Sequence, residues 1–145
     1  MKYIGPDFCN ITTLLTDEEL LIQKTANEFV SKELMPLVNE YYEKGSFPVN
    51  LIPKMGELGF FGATLPKKYG GSEISNTAYG LIMQELEKGD SGLRSVCSVQ
   101  GGLVMYPIFQ YGTEAQKDKW LPKLASGEAV GCFGLTESNH GSDPG

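Results

Sequence analysis

Residues 129–137, AVGCFGLTE, followed by residues 138–143, SNHGSD, decide how the whole chain is read. Up to this point the apolar residues recur at three or four positions. Here the period and the composition change together, and the stretch reads as the first β-strand of the chain. The strand runs into a Thr-Glu pair and then into six polar or glycine positions. Such a run lets a backbone bend tightly and offer N–H and hydroxyl donors to an anionic group. A lone strand at the edge of a chain has no partner for its backbone donors and acceptors. The expected fold class is therefore mainly α: an all-helical domain over residues 1–127, then residues 128–145 as the opening of a β domain that the sequence does not complete.

Working outward from that stretch, the helical part divides by its caps. Thr16 with Glu19 forms a capping-box pattern, and Ile22, Ala26, Phe29 and Val30 then fall on one face. The pattern fades at Met35-Pro36, because proline disfavours helix at the residue before it, and Tyr41-Tyr42 extends a second helical piece. A short helix is expected from about Asn50 to Leu58, with Pro53 early and Gly59 just past its end. GFFGATLPKKYGG, residues 59–71, reads as a structural loop with solvent-facing lysines. Ala78, Leu81, Ile82, Glu85 and Leu86 mark a helix ending at Gly89, and Leu93, Cys97, Gly101, Val104, Ile108 and Tyr111 mark another. In that second helix the Gly101-Gly102 pair permits close approach, and Pro107 is expected to kink or split it. Thr113 with Gln116 opens the last of five or six helices, which Ser126-Gly127 closes.

The 145 residues suffice for one domain with a core, at 41% hydrophobic content. Twelve Lys plus Arg against 18 Asp plus Glu give a formal charge of −6 with no basic block, which argues against nucleic acid and polybasic membrane contacts. No apolar run approaches a membrane span. The N-terminus MKYIGPDFCNITT lacks both an apolar targeting core and an Arg-rich transit pattern, so a cytoplasmic location is expected. Cys9, Cys97 and Cys132 are odd in number and widely spaced, and are expected to be reduced, buried small hydrophobes rather than a disulfide or zinc framework. His140 is the only histidine. It is expected to face solvent in the turn, with a phosphate contact as the alternative, and no metal site is expected.

GCFGLTESNHGSDPG, preceded by YGTEAQKDKWLPKLASGE, resembles the signature of the flavin-dependent acyl-CoA dehydrogenases. The likeness extends to LIPKMGELGFFGATLPKKYGG and ELEKGDSGLRS, and so runs from about Leu14 onward. It implies the N-terminal helical bundle of that family followed by the first strand of its middle β-barrel, FAD as cofactor, and a homotetramer when full length. It also implies that Phe133, Leu135 and Thr136 lie along the flavin ring while Gly141 and Ser142 approach its pyrophosphate, with Ser142 also near the acyl-CoA. Within the family, DSGLRSVCSVQGGLVMYPI is most similar to glutaryl-CoA dehydrogenase. That likeness implies that Arg94, with Ser95 and Ser98 nearby, receives the distal carboxylate of the acyl chain; a guanidinium pairs with a carboxylate in bidentate fashion. One departure stands out, since Ser138 occupies a place where the family commonly has proline, relaxing one backbone torsion. No G-x-G-x-x-G is present, so a Rossmann-type flavin site is not suggested.

The resemblance implies α,β-dehydrogenation of an acyl-CoA thioester, with electrons passed to an electron-transfer flavoprotein. For the glutaryl subgroup it further implies decarboxylation to crotonyl-CoA. The family's base is a glutamate of a later helical domain, so no catalytic residue is expected among these 145 and the stretch alone is expected to be silent. Glu85 and Glu87 read as members of a polar or half-buried helix face, and Glu137 as part of the loop's hydrogen bonding. Two other classes share the pattern. One is a stand-alone ligand-binding or assembly module; the other is an acyl-CoA oxidase relative that returns electrons to oxygen.

Overall fold

The computed structural model describes residues 7–144, so the expectation about targeting falls partly on residues 1–6, outside the described residues. A short 3-10 turn, Ile11–Leu14, precedes α1 (Asp17–Phe29). The capping box forms as expected: the Glu19 N–H donates to Thr16 Oγ1 at 3.2 Å, and the Thr16 N–H donates to Glu19 Oε2 at 3.0 Å. Rather than ending near Met35, α1 continues through a π segment, Val30–Leu34, into α2 (Met35–Glu43). The physical reason lies in Pro36, which lacks an N–H and needs room for its ring; the wider π turn just upstream supplies both without breaking the rod.

α3 (Leu51–Glu57) follows, and Gly59 beyond it takes φ +74°, the left-handed conformation that a glycine stop allows. α4 (Asn76–Gly89) starts where the Ser75 hydroxyl accepts from the Ala78 N–H at 3.0 Å. α5 (Ser91–Ser98) is capped by Asp90, whose Oδ1 accepts from the Leu93 N–H at 2.7 Å. It continues through a second π segment, Val99–Met105, into α6 (Tyr106–Tyr111). Pro107 therefore widens this rod in the way Pro36 widens the first, and does not split it. α7 (Glu114–Ala125) carries the second capping box on Thr113 and Gln116, and tolerates Pro122 inside it.

The core gathers the inner faces of these rods. Ala26, Phe29, Val30 and Leu34 meet Ile82 and Leu86 of α4, then Leu93, Cys97 and Met105 of the second rod, with Leu121 and Leu124 closing the far side. The expected loop at residues 59–71 supplies more than a connection. Phe60, Phe61, Ala63, Leu65 and Tyr69 are buried in the core while Lys67 and Lys68 stay exposed. A Cβ on Gly71 would lie 1.9 Å from the Leu65 carbonyl oxygen, so only glycine lets the loop fold back on itself there.

Two expectations are corrected. Residues 129–137 form no strand; the described residues contain a single isolated bridge, Glu137 to His140, because a ladder requires a neighbour that is not among them. Of the cysteines only Cys97 is buried, while Cys9 and Cys132 are exposed, since each sits in a segment outside the packed rods. Glu85 lies deeper than a half-buried face. It is 2% exposed and accepts from Gln23 Nε2 at 3.2 Å, Asn27 Nδ2 at 2.9 Å and Lys88 Nζ at 2.6 Å.

Candidate functional site

The α4–α5 corner places Arg94 in a defined setting. Its Nε donates to Glu87 Oε2 at 2.6 Å, and Nη1 reaches Ser98 Oγ at 3.4 Å. Ser91 Oγ donates to the other Glu87 oxygen at 2.7 Å, and Ser98 Oγ donates to the Ser95 carbonyl at 3.0 Å. The hydrogen bond from Arg94, then that from Ser91, holds the Glu87 carboxyl below the usual carboxylate range. Two of the three guanidinium nitrogens, Nε and Nη1, are thereby engaged. Among the described residues the Nη2 end has no partner, and the side chain is 36% exposed. The structure brings Arg94, Ser95 and Ser98 together and adds Glu87, which sequence reasoning had left on a polar face. The available signal was an acid seven positions before the arginine, across the Asp90 break.

Beside this corner, a cavity of about 150 Å3 lies between the loop and the second π segment, lined by Phe61, Ala63, Leu65, Tyr79, Gly101 and Tyr106 among others. A Cβ on Gly101 would meet the Phe61 carbonyl oxygen at 2.8 Å and the Tyr79 hydroxyl at 3.7 Å, so glycine keeps this wall open. Burial pushes the Tyr79 phenol up to about 12, while the Arg94 charge acts in the opposite sense, placing the two within electrostatic reach. A larger groove of about 450 Å3, bordered by Leu21, Lys24, Phe29, Lys32, Lys54 and Leu58, contains none of the sequence-predicted site residues. Its rim is charged and open, so it lacks the convergent polar groups of a ligand site.

The terminal segment is placed differently. Phe133 and Leu135 are about half exposed, and Thr136, Gly141 and Ser142 are exposed. Among the described residues, neither the Thr136 nor the Ser142 hydroxyl has a hydrogen-bond partner, and nothing lies within 4 Å of a Cβ built on Gly134 or Gly141. Residues 137–140 close a tight turn, the Glu137 N–H donating to the His140 carbonyl at 3.0 Å and the reverse bond at 3.2 Å. His140 is exposed, as expected of a turn residue. Apolar side chains next to unused hydroxyls are a donor set that suits a planar ring with an anionic tail. No hydrogen bond or ion pair joins this group to Arg94, Ser95 or Ser98 among the described residues. The described residues hold no cluster of three His, Cys, Asp or Glu suited to a metal, and no helix long and apolar enough to cross a membrane.

With this geometry in place, the sequence matches the profile described as "Acyl-CoA dehydrogenase, N-terminal domain" over residues 16–128. The chain belongs to the acyl-CoA dehydrogenase family. It is similar to two crystal structures of glutaryl-CoA dehydrogenase from Mycobacterium smegmatis, at 47% and 44% identity, both with a TM-score of 0.90. Each comparison covers 95% of this chain and 36% of that one, and the second structure is a complex with FADH2. It is also similar to butyryl-CoA dehydrogenase from Megasphaera elsdenii, at 41% identity and a TM-score of 0.82, covering 90% of this chain and 35% of that one. A curated relative, "Probable acyl-CoA dehydrogenase YngJ" of Bacillus subtilis, is 41% identical over 133 residues, 90% of this chain. The chain spans about a third of that relative's length, 34%.

Proposed function

We propose that this chain is the N-terminal helical part of an FAD-dependent acyl-CoA dehydrogenase whose substrate is glutaryl-CoA, oxidised at its α,β bond and decarboxylated to crotonyl-CoA. FAD, when bound, supplies the acceptor for the hydride that leaves the β-carbon. Phe133 and Leu135 offer the ring an apolar face, the Thr136 hydroxyl offers its edge a hydrogen bond, and Gly141 and Ser142 leave room and donors for the pyrophosphate, with Ser142 also facing the acyl-CoA. The base that removes the α-proton is assigned to a glutamate of a later helical domain. Residues 128–145 are read as the opening of a middle β domain, an electron-transfer flavoprotein as electron acceptor, and a homotetramer as the assembly.

The observation that carries the substrate reading is the half-satisfied guanidinium of Arg94. Glu87 takes Nε and Ser98 takes Nη1, while Nη2 is left to pair with a second carboxylate, which a dicarboxylyl chain provides and a monocarboxylyl chain lacks. Ser95 and Ser98 stand next to it and take part in the same subsite. A short-chain monocarboxylyl substrate is the second reading. It is favoured by Glu87 already balancing the arginine charge and by the likeness to butyryl-CoA dehydrogenase.

One experiment separates them in the full-length protein: the kcat/KM for glutaryl-CoA and butyryl-CoA in wild type and Arg94→Ala. Loss of a charge-assisted pair is expected to lower kcat/KM for glutaryl-CoA by about ten- to a hundredfold, corresponding to about 1.5–3 kcal/mol, and to leave butyryl-CoA nearly unchanged. Equal turnover of both substrates in wild type would overturn the dicarboxylyl reading in favour of the second.

A further inference from the structure

Gln100 is 1% exposed, and its amide ties three separate backbone groups together. Its Nε2 donates to the Leu124 carbonyl at 2.9 Å and to the Ala129 carbonyl at 2.8 Å, while its Oε1 accepts from the Gly131 N–H at 2.9 Å. Leu124 belongs to the last turn of α7, and its carbonyl also accepts from the Gly127 N–H at 3.3 Å, so the first bond adds a side-chain tie to the turn that closes the helix. The other two hold the chain after it has turned at Gly127, where a φ of +75° and an Ile52 carbonyl oxygen 2.9 Å from where a Cβ would stand both require glycine. Beyond Gly131, no hydrogen bond among the described residues joins residues 132–144 to the helical body. Gln100 thus makes the final hydrogen-bonded tie, two residues before Phe133.

We propose that Gln100 is a positioning residue that sets where the flavin-facing segment leaves the helical domain, and hence where Phe133 to Thr136 stand relative to Arg94. The inference rests on the flavin reading of residues 133–142. Gln100 sits in the same rod as Arg94, six residues further on, a separation of about 9 Å along a helix. One rigid element therefore gauges both the proposed acyl-chain contact and the exit of the proposed cofactor segment. The π segment that carries Gln100 also carries Val104, and a Cβ on Gly131 would lie 2.4 Å from Val104 Cγ1. The amide sets the register of residue 131, and the valine sets its distance. A glutamate at position 100 could accept from Gly131 but not donate to the two carbonyls. A methionine fills the volume and does neither.

The test uses the full-length protein with Gln100→Met, Gln100→Asn and a remote core variant, Leu34→Ala. FAD dissociation constants are measured by titrating apoprotein, and exchange of the Gly131 amide is followed by NMR or mass spectrometry. Gln100→Met is expected to weaken FAD about tenfold and to release the Gly131 amide, with Gln100→Asn intermediate because its amide falls one carbon short. Leu34→Ala is expected to lower the unfolding midpoint while leaving FAD affinity within about twofold. If wild type takes FAD and Gln100→Met takes it equally well, or no worse than Leu34→Ala, the positioning role is overturned and the flavin reading stands. If wild type takes no FAD, both fall together, even where the Gly131 amide responds to Gln100.

Discussion

Replacing Gly131 with alanine tests the junction between helical body and terminal segment from the side of Val104, with Gln100 itself unaltered. The added Cβ would lie 2.4, 2.8 and 3.0 Å from Val104 Cγ1, Cγ2 and Cβ. Carbon contacts settle at about 3.5–4.0 Å, so the overlap exceeds about 1 Å. Val104 cannot rotate away cheaply, because a β-branched side chain in a helical segment has one strongly preferred rotamer. Forcing it costs about 1–3 kcal/mol, as overpacking does elsewhere. The alternative is for the segment to step back, which gives up the 2.9 Å bond from the Gly131 N–H and leaves the buried Gln100 oxygen unmatched, at about 1–3 kcal/mol. The two routes cost the same order, so a loss of about 1–2 kcal/mol is expected whichever is taken. The assay is a double-mutant cycle in urea with Val104→Ala, which removes both γ-methyls. Rescue of at least about 1 kcal/mol in the double variant is expected. A Gly131→Ala protein as stable as wild type, or a coupling near zero, would refute the contact.

Other outcomes follow from buried and paired groups. Glu85→Ala is expected to destabilise the fold by about 2–4 kcal/mol, because it strips three donors of their shared acceptor in the α1–α4 interface; a urea midpoint within error of wild type would contradict this. Lys117 first, then the Tyr69 hydroxyl and Lys68, lower the Glu114 carboxyl from 4.5 to about 2. A depressed folded-state value contributes stability that is present above pH 4.5 and lost as pH falls from there toward 2, so Glu114→Gln is expected to lower stability at neutral pH and to flatten the acid limb, the gap to wild type closing as pH falls through that window. Burial raises the Cys97 thiol to about 12, so alkylation of the native protein at pH 8 is expected to label Cys9 and Cys132 and spare Cys97, read by peptide mass spectrometry.

What could be read in advance was whatever is decided within a turn or two of chain. The capping boxes at Thr16 and Thr113 need only four residues, and both formed. The buried role of Phe60, Phe61 and Leu65 was not legible, because a loop has no period to reveal which residues turn inward. Glu85 sat on the apolar stripe in the sequence, but its acceptor role depends on Gln23 and Asn27, 62 and 58 residues away. Arg94 was found through its neighbours in sequence, whereas Glu87 was found only when the Asp90 corner folded α4 against α5. The strand at residues 129–137 failed for a related reason. Apolar composition can fit a strand, but hydrogen-bonded partners make one, and those cannot be supplied by the segment itself.

The π segment Val99–Met105 also bears on how such proteins diversify. A wide turn of this kind holds one residue more than the α-helix it interrupts, and nothing lies within 4 Å of a Cβ built on Gly102. Because the wide turn already absorbs that extra residue, deleting it would restore ordinary winding while Arg94 and Tyr106 keep nearly the same facing about the rod axis. Selection could thus gain or lose a residue at this turn by a one-codon event without re-aiming the guanidinium or the core face of the rod.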